Sequence, residues 1–518
     1  MDAFSQLLTV KRSRIAFFPH NLGTALVAMA LLWFGIALPA TAQQDEILIT
    51  EDTTIDAGNT DFQGRSIRVD GAKLFLQGEY DFYSLTLENG AVVRPPSGVR
   101  GESSRIELTV EGEVRVDGSS RINVSGHGLG QVDGQNGDAG GSHGGRGGRD
   151  SWSTGYPSLA VYGDYQAPST MGQGGTSGAY GGGVFKLTAD TLELHGVIEA
   201  NGTTGNRAGG AGGSVWLDVG TMTASEEARI EANGAGGDGI YDGGGGGGRI
   251  AIYHSEDSVP PGLDVLAKGG SGSGNTGGPG TVYWENKGTG ENLLRVDNGV
   301  AREAQYARIS TLHDDLTRLE VSGARLKLGK QEEVLSPRQI ATVEVDNGTL
   351  ELLNIESITH LDLKNEAVLR PLSGVKGEAS ALKLVSHKVV VDASSRINVS
   401  GHGLGRVDGQ NGDAGGSHGG RGGRDSWSTG YPSLAVYGDY QAPSTMGQGG
   451  TSGAYGGGVF KLTADTLELH GVIEANGTTG NRAGGAGGSV WLDVGTMTAS
   501  EEARIEANGA GGDGIYDG

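Results

Sequence analysis

Apolar residues in this chain alternate with polar ones in short bursts. Val343/Val345, Leu350/Leu352, Leu361/Leu363, Leu382/Leu384, Val389/Val391 and Ile397/Val399 are i, i+2 pairs, broken by turn dipeptides such as Asn347-Gly348. A period of two places each pair on one face of a strand. No stretch after the N-terminal segment keeps a helical period, so the pattern predicts strands and almost no helix. A longer rhythm lies over this one. Strands are expected to begin at Val184, Val215, Ile250 and Val282, at intervals of 31 to 35 residues. Each is followed by a second burst, around Ile198, Ile230, Val265 and Val296, and glycine-rich segments (202–213, 234–248, 269–280) close the turns. A fixed period in this range is the signature of a solenoid. The expected fold is all-β, a right-handed parallel β-helix, with long glycine-rich loops projecting along one side.

The chain also repeats on a larger scale. Ser119 to Gly243 recurs as Ser394 to Gly518 with one change, Gln131 to Arg406. Upstream the likeness is looser: Leu85-Thr-Leu87-Glu-Asn89 aligns with Leu361-Asp-Leu363-Lys-Asn365, and Ala91-Val-Val-Arg94-Pro95 with Ala367-Val-Leu-Arg370-Pro371. The organisation read from this is a signal peptide at 1–42, a first β-helix unit at 43–300, a spacer or additional coils at 301–341, and a second unit at 342–518. The second copy stops inside a motif that the first completes as 244–253, so a longer parent protein is expected.

The pieces Gly243-Gly-Gly-Gly-Gly-Gly-Arg249-Ile-Ala-Ile-Tyr253, Gly212-Gly-Ser-Val-Trp-Leu-Asp-Val-Gly220, Ile230-Glu-Ala-Asn-Gly234 and Gly277-Gly-Pro-Gly-Thr-Val-Tyr-Trp-Glu-Asn286 resemble those of large, glycine-rich, repetitive surface or secreted proteins of bacteria. That resemblance implies a β-helical, adhesin-like protein. It implies no common activity or site.

Composition sharpens this picture. Lys11, Arg12 and Arg14 precede an apolar run from Leu22 to Pro39, and Ala40-Thr41-Ala42 offers a small-residue cleavage site. This is the pattern of an export signal. A retained anchor is the competing reading, and no other segment could span a membrane. Net charge is −23, and removing 1–42 deletes three basic and one acidic residue, leaving −25. Such a balance argues against nucleic acid and anionic membranes as partners. There is no cysteine, so no disulfide staples the fold, while 98 glycines either signal disorder or a backbone geometry closed to other residues.

Candidate chemistry is sparse. The glycine run 243–248 lacks the following helix and Lys-Ser/Thr of a phosphate loop. Gly144-Gly-Arg146-Gly-Gly-Arg149 brings too few cations to neutralise a nucleic acid backbone. Calcium is the cofactor that the loops could take. Asp133, Asn136 and Asp138 offer hard oxygens in one loop, and Asp238 with Asp242 resembles part of a calcium-binding glycine-rich nonapeptide. The same residues suit Asx and glycine turns. Asp150 with Asp164, and Glu226-Glu227 with Arg229, are carboxylate groupings that a glycosidase or lyase could use, though a solvated face looks the same. His127, His143 and His195 show no metal spacing and read as surface or turn residues. Trp152, Tyr156, Tyr162 and Tyr165 sit in one loop, where they could stack on sugars or pin the loop to the fold. Asn123-Val-Ser125 and Asn201-Gly-Thr203 match the glycosylation sequon. No catalytic residue is assigned. The expected function is a secreted or cell-surface structural and adhesive protein, on a bacterial outer surface, whose partner is an extracellular polysaccharide or a host or neighbouring cell surface. The alternative is a β-helix enzyme that binds or degrades polysaccharide.

Overall fold

The computed structural model describes residues 46–512, apart from 57, 134, 136, 151–156, 177, 239–241, 256–261, 274, 300–304, 311, 314, 330–338, 354–356, 411, 425–431 and 452. The expected signal peptide and the calcium candidate Asn136 lie outside the described residues. Those described form thirty strands and three short 3₁₀ helices. The protein is nearly all β, as the period-two pattern predicts.

The strands make one long sheet and two shorter ones. The long sheet has sixteen strands and each short sheet seven. Along the chain, strands of the long sheet alternate with strands of a short one. Ile106–Val116, Val184–Leu194, Ser214–Ala224, Arg249–His254 and Thr281–Asn286 lie side by side in the long sheet. Between them in sequence, Arg121–Asn123, Val197–Glu199, Arg229–Glu231 and Asp264–Leu266 stack in the first short sheet. These pairings are parallel, so like residues stack on like: Leu108, Leu187, Leu217, Ile252 and Trp284 form one column. Ile122, Ile198, Ile230 and Val265 form the facing one. Both columns are buried, and each aliphatic side chain so buried contributes roughly 1.5–3 kcal/mol. Asparagines clip the turns together: Asn201 Oδ1 accepts from the Asn233 amide, and Asn233 Oδ1 from the Lys268 amide, at 2.7 and 2.8 Å.

One element departs from the expected phase. The sequence rhythm counts Leu294 and Val296 as the second strand of a further parallel repeat. Instead Asn292–Asp297 pairs antiparallel with Thr281–Asn286. The physical reason is loop length. Residues 287–291 are five, enough for a hairpin but far short of the dozen or so that a parallel crossover needs. Beyond this hairpin every pairing is again parallel, through Leu316–Ser322, Gln339–Asp346, Ser357–Lys364, Leu382–Val391 and Val459–Leu469 to Ser489–Ala499. The second short sheet, from Ala307–Ile309 to Arg504–Glu506, accompanies them.

The hairpin also moves the core to the other face of the long sheet. Val282 and Trp284 belong to the core of residues 49–284, whereas Tyr283 between them belongs to a second core with Leu294, Val296, Leu319 and Val345. Neighbouring residues of a strand point to opposite faces. One continuous sheet is therefore covered on one face in its first half and on the opposite face in its second.

Candidate functional site

Where the structure describes them, the glycine-rich segments do not project as loops. They lie against one another in extended conformation, and their amides donate in a rotation of three. Gly243 and Gly246 donate to the carbonyls of Asp138 and Gly141. Gly244 and Gly247 donate to Asn275 and Gly278, and Gly245 and Gly248 to Ala235 and Ala232. The adjacent segment repeats the scheme: Gly209 and Gly212 bond to Gly243 and Gly246, Gly210 and Gly213 to Thr203 and Ala200. Three residues per turn without internal hydrogen bonds is polyproline II geometry. Here such threads are cross-linked through their backbones into a lattice, which also answers where the amides of so many buried glycines go.

The lattice explains the composition. A Cβ placed on Gly244 would lie 1.9 Å from the Gly270 carbonyl oxygen, and one on Gly246 2.1 Å from that of Gly145. No side chain fits there, so glycine is required by proximity and not by turn geometry. Sequence reasoning missed this because the partners are remote in the chain. The unbroken six-glycine run, leading directly into the strand Arg249–His254, was the available signal.

Buried polar residues tie the lattice to the sheets. His143, read from sequence as a surface or turn residue, is fully buried. Its Nδ1 is 2.9 Å from the Gly212 oxygen and its Nε2 2.8 Å from Thr170 Oγ1. Burial, with the charge of Arg249 nearby, pushes its pKa down to about 3. His127 is likewise buried, with Nδ1 2.7 Å from the Val99 oxygen. Arg249 is buried with its guanidinium spread over three segments, donating to Tyr162 O, Thr281 Oγ1 and Arg308 O at 3.0, 3.1 and 3.3 Å. Burial lowers its pKa to about 10 despite the partly opposing charge of Asp164.

The described calcium candidates differ in burial and in partners. Asp133 and Asp238 are exposed. Asp138 is 3.7 Å from Arg207, and its amide bonds to Asp150. Asp242 is buried beside Gly237, its amide 3.4 Å from Ser273 Oγ. No group of three or more potential metal ligands of the His/Cys/Asp/Glu type occurs among the described residues. The carboxylate pair Asp150 and Asp164 is engaged separately, Asp164 with His313 at 2.9 Å.

The aromatic residues pin the loop where the structure describes it. Tyr165 is buried edge-on against Tyr283, with ring centroids 5.5 Å apart. Tyr162 donates its hydroxyl to the Met171 carbonyl. Tyr253 donates to Gln166 O, and Gln166 Nε2 donates to Tyr283 Oη. Trp152 and Tyr156 lie outside the described residues. The sequon asparagines are also engaged: Asn123 Nδ2 donates to Glu199, and Asn201 serves the asparagine ladder.

The second copy presents the same residues without their cover. Tyr440, equivalent to Tyr165, is 90% exposed, and Gly419 and Gly420 face open space where Gly144 and Gly145 meet neighbouring backbone. The result is an open groove between residues 415–423 and 484–489, edged by His418, Tyr437 and Tyr440. Comparison with protein-family models, with curated proteins and with solved structures finds no match.

Proposed function

We propose that this chain is a right-handed parallel β-helix acting as a structural and adhesive scaffold outside the cell. One observation carries the reading: the two near-identical copies use identical register. Val184–Leu194 pairs with Ser214–Ala224, and Val459–Leu469 with Ser489–Ala499, through the same ten residue pairs displaced by 275. Repeated sequence here serves repeated geometry. The alternation of strands between a long and a short sheet is what a coiling chain produces. Right-handed crossovers are the strong rule for parallel strands. The hairpin at 287–291 accords with that rule, because reversing strand direction along one sheet keeps the hand only if the core changes face.

With about fourteen interstrand steps of roughly 4.8 Å, the array would be some 65–70 Å long. The glycine lattice stiffens its flank. Weak contacts repeated along such a body add by multivalency. The export signal, the acidic charge and the resemblance to glycine-rich bacterial surface proteins favour a polysaccharide or a cell surface as the partner.

The competing enzyme reading makes a different forecast in one assay. Purified chain is incubated with immobilised acidic and neutral polysaccharides. Retention on the matrix with no new reducing ends and no unsaturated sugar is expected. Steady release of either product would replace the scaffold by a hydrolase or lyase.

A further inference from the structure

The strongest unassigned chemistry lies where the first glycine lattice meets the second short sheet. Successive strands of that sheet align Arg308 with Lys327, Lys327 with Glu351, and Glu351 with Arg370 on one face. Glu351 has a fully buried side chain, and three cations share it: Arg325 at 2.5 Å, Arg370 at 2.6 Å and Lys327 at 3.8 Å. A tyrosine, Tyr306, gathers cations from two parts of the fold. Lys327 Nζ lies 3.9 Å from its ring centroid, with the Arg146 and Arg325 guanidinium carbons at 5.6 and 5.9 Å.

The charges do not balance. Among the described residues, the carboxylate in ion-pair contact with any of Arg146, Arg308, Arg325, Lys327 and Arg370 is that of Glu351, so five cations share one paired anion on a chain of net −23. Arg146 uses its terminal nitrogens on Tyr306 Oη and Ser158 O, but its Nε is buried without a hydrogen-bond partner. The Nε of Arg308 is in the same position. Crowding of this kind is costly unless something negative joins it. The corresponding first-unit positions are Thr54, Phe75 and Arg94, aligned in the same way. Lys327 and Glu351 thus stand where the first unit has a threonine and a phenylalanine, and the cluster is not a by-product of duplication.

We propose that Arg146, Arg308 and Lys327, backed by Arg325 and Arg370, form a binding site for an oxyanion, the sulfate or carboxylate group of an acidic saccharide. Arginine suits it because its planar donors match oxyanion geometry, and lysine adds a compact charge. Neutralised by such a group, the cluster would hold the lattice and the second sheet together. The site does not depend on the array being a rod. Lys327 fits the role electrostatically: burial first, joined by the charges of Arg325, Arg308 and Arg146, lowers its pKa to about 8 against the attraction of Glu351.

The test is calorimetric titration of the full chain with sodium sulfate against sodium chloride at matched ionic strength, then with a sulfated oligosaccharide. Sulfate binding in the millimolar range is expected for the bare ion, and at least about tenfold tighter binding for the oligosaccharide. Equal affinity for the two would assign the site to the free ion and overturn the saccharide. Arg308→Gln with Lys327→Met should abolish the sulfate-specific heat, whereas Arg115→Gln, on another face, should leave it intact. Because sulfate stabilises proteins generally by exclusion, the melting temperature must rise more in the wild type than in the double variant. Lys327→Arg should keep binding and extend it above pH 8, where the wild type weakens. Equal sulfate response in wild type and double variant would overturn the site.

Discussion

Among single residues, His143 carries the clearest consequence. Its neutral ring bridges Gly212 and Thr170 inside the lattice, and its pKa is about 3 when folded against about 6.5 when unfolded. The unfolded chain therefore binds the extra proton between those values, and stability rises with pH across that window. The contribution is fully present above pH 6.5 and is lost as pH falls toward 3. At pH 4.5 the loss should be about 2–3 kcal/mol relative to neutral pH. Urea midpoints of wild type and His143→Gln at the two pH values check this. The variant should show a visibly shallower loss on acidification, and parallel losses would show that His143 is not the source. Nothing in the sequence marked this residue, since a histidine among glycines looks like a turn. Its burial follows from close packing of backbone that composition alone does not reveal. Glu351 is the opposite case, where burial would raise the carboxyl but Arg325, Arg370 and Ser373 hold it down at about 2. Replacing it by glutamine should destabilise by roughly 3–5 kcal/mol, as breaking a buried pair does, because the cations around it lose their counter-charge. Thermal melts of Glu351→Gln near neutral pH would show it, and an unchanged melting temperature would exclude it.

Elements divide into those the pattern reveals and those it conceals. The i, i+2 pairs locate strands because side-chain alternation is local, and Leu382–Val391 or Gln339–Asp346 needs no distant partner to be recognised. The glycine segments are different. Gly246 bonds to Gly141, more than a hundred residues away, and a glycine run fits disorder and a lattice equally well by composition. The antiparallel hairpin was legible in principle from its five-residue loop, and the phase of the repeat obscured it. The duplication offers an internal control on the lattice. Gly145 and Gly420 stand in the same local sequence. A Cβ on Gly145 would meet Gly278 O at 2.1 Å and Pro279 O at 2.3 Å, while one on Gly420 would meet nothing within 4 Å. Gly145→Ala should therefore cost about 1–3 kcal/mol or more as overpacking against backbone, and Gly420→Ala should stay within about 0.5 kcal/mol. Chemical denaturation of the two variants compares them directly. Similar costs would mean that local conformation, and not the neighbouring threads, demands glycine.

The same control works for the whole molecule. Residues 212–220 and 487–495 have identical sequences, so their intrinsic exchange rates match. Ser214–Ala224 has a parallel partner on each side, Val184–Leu194 and Arg249–His254. Among the described residues, Ser489–Ala499 ends the long sheet and pairs with Val459–Leu469 alone. Burial follows the pairing: Val215 and Leu217 are fully buried, while Val490 and Leu492 are only half-buried and Met497 is 42% exposed. In a stacked array each layer is stabilised by its neighbours, so a layer with one neighbour opens more readily. An exposed edge also offers unpaired backbone groups to any strand that can reach it. Hydrogen exchange should therefore be clearly faster on peptide 487–495 than on peptide 212–220 in dilute solution. Raising the protein concentration should slow the first and leave the second unchanged if edges pair between molecules. Equal protection at the lowest concentration would show either that the edge is already covered or that the stability of a layer does not follow from the number of its neighbours.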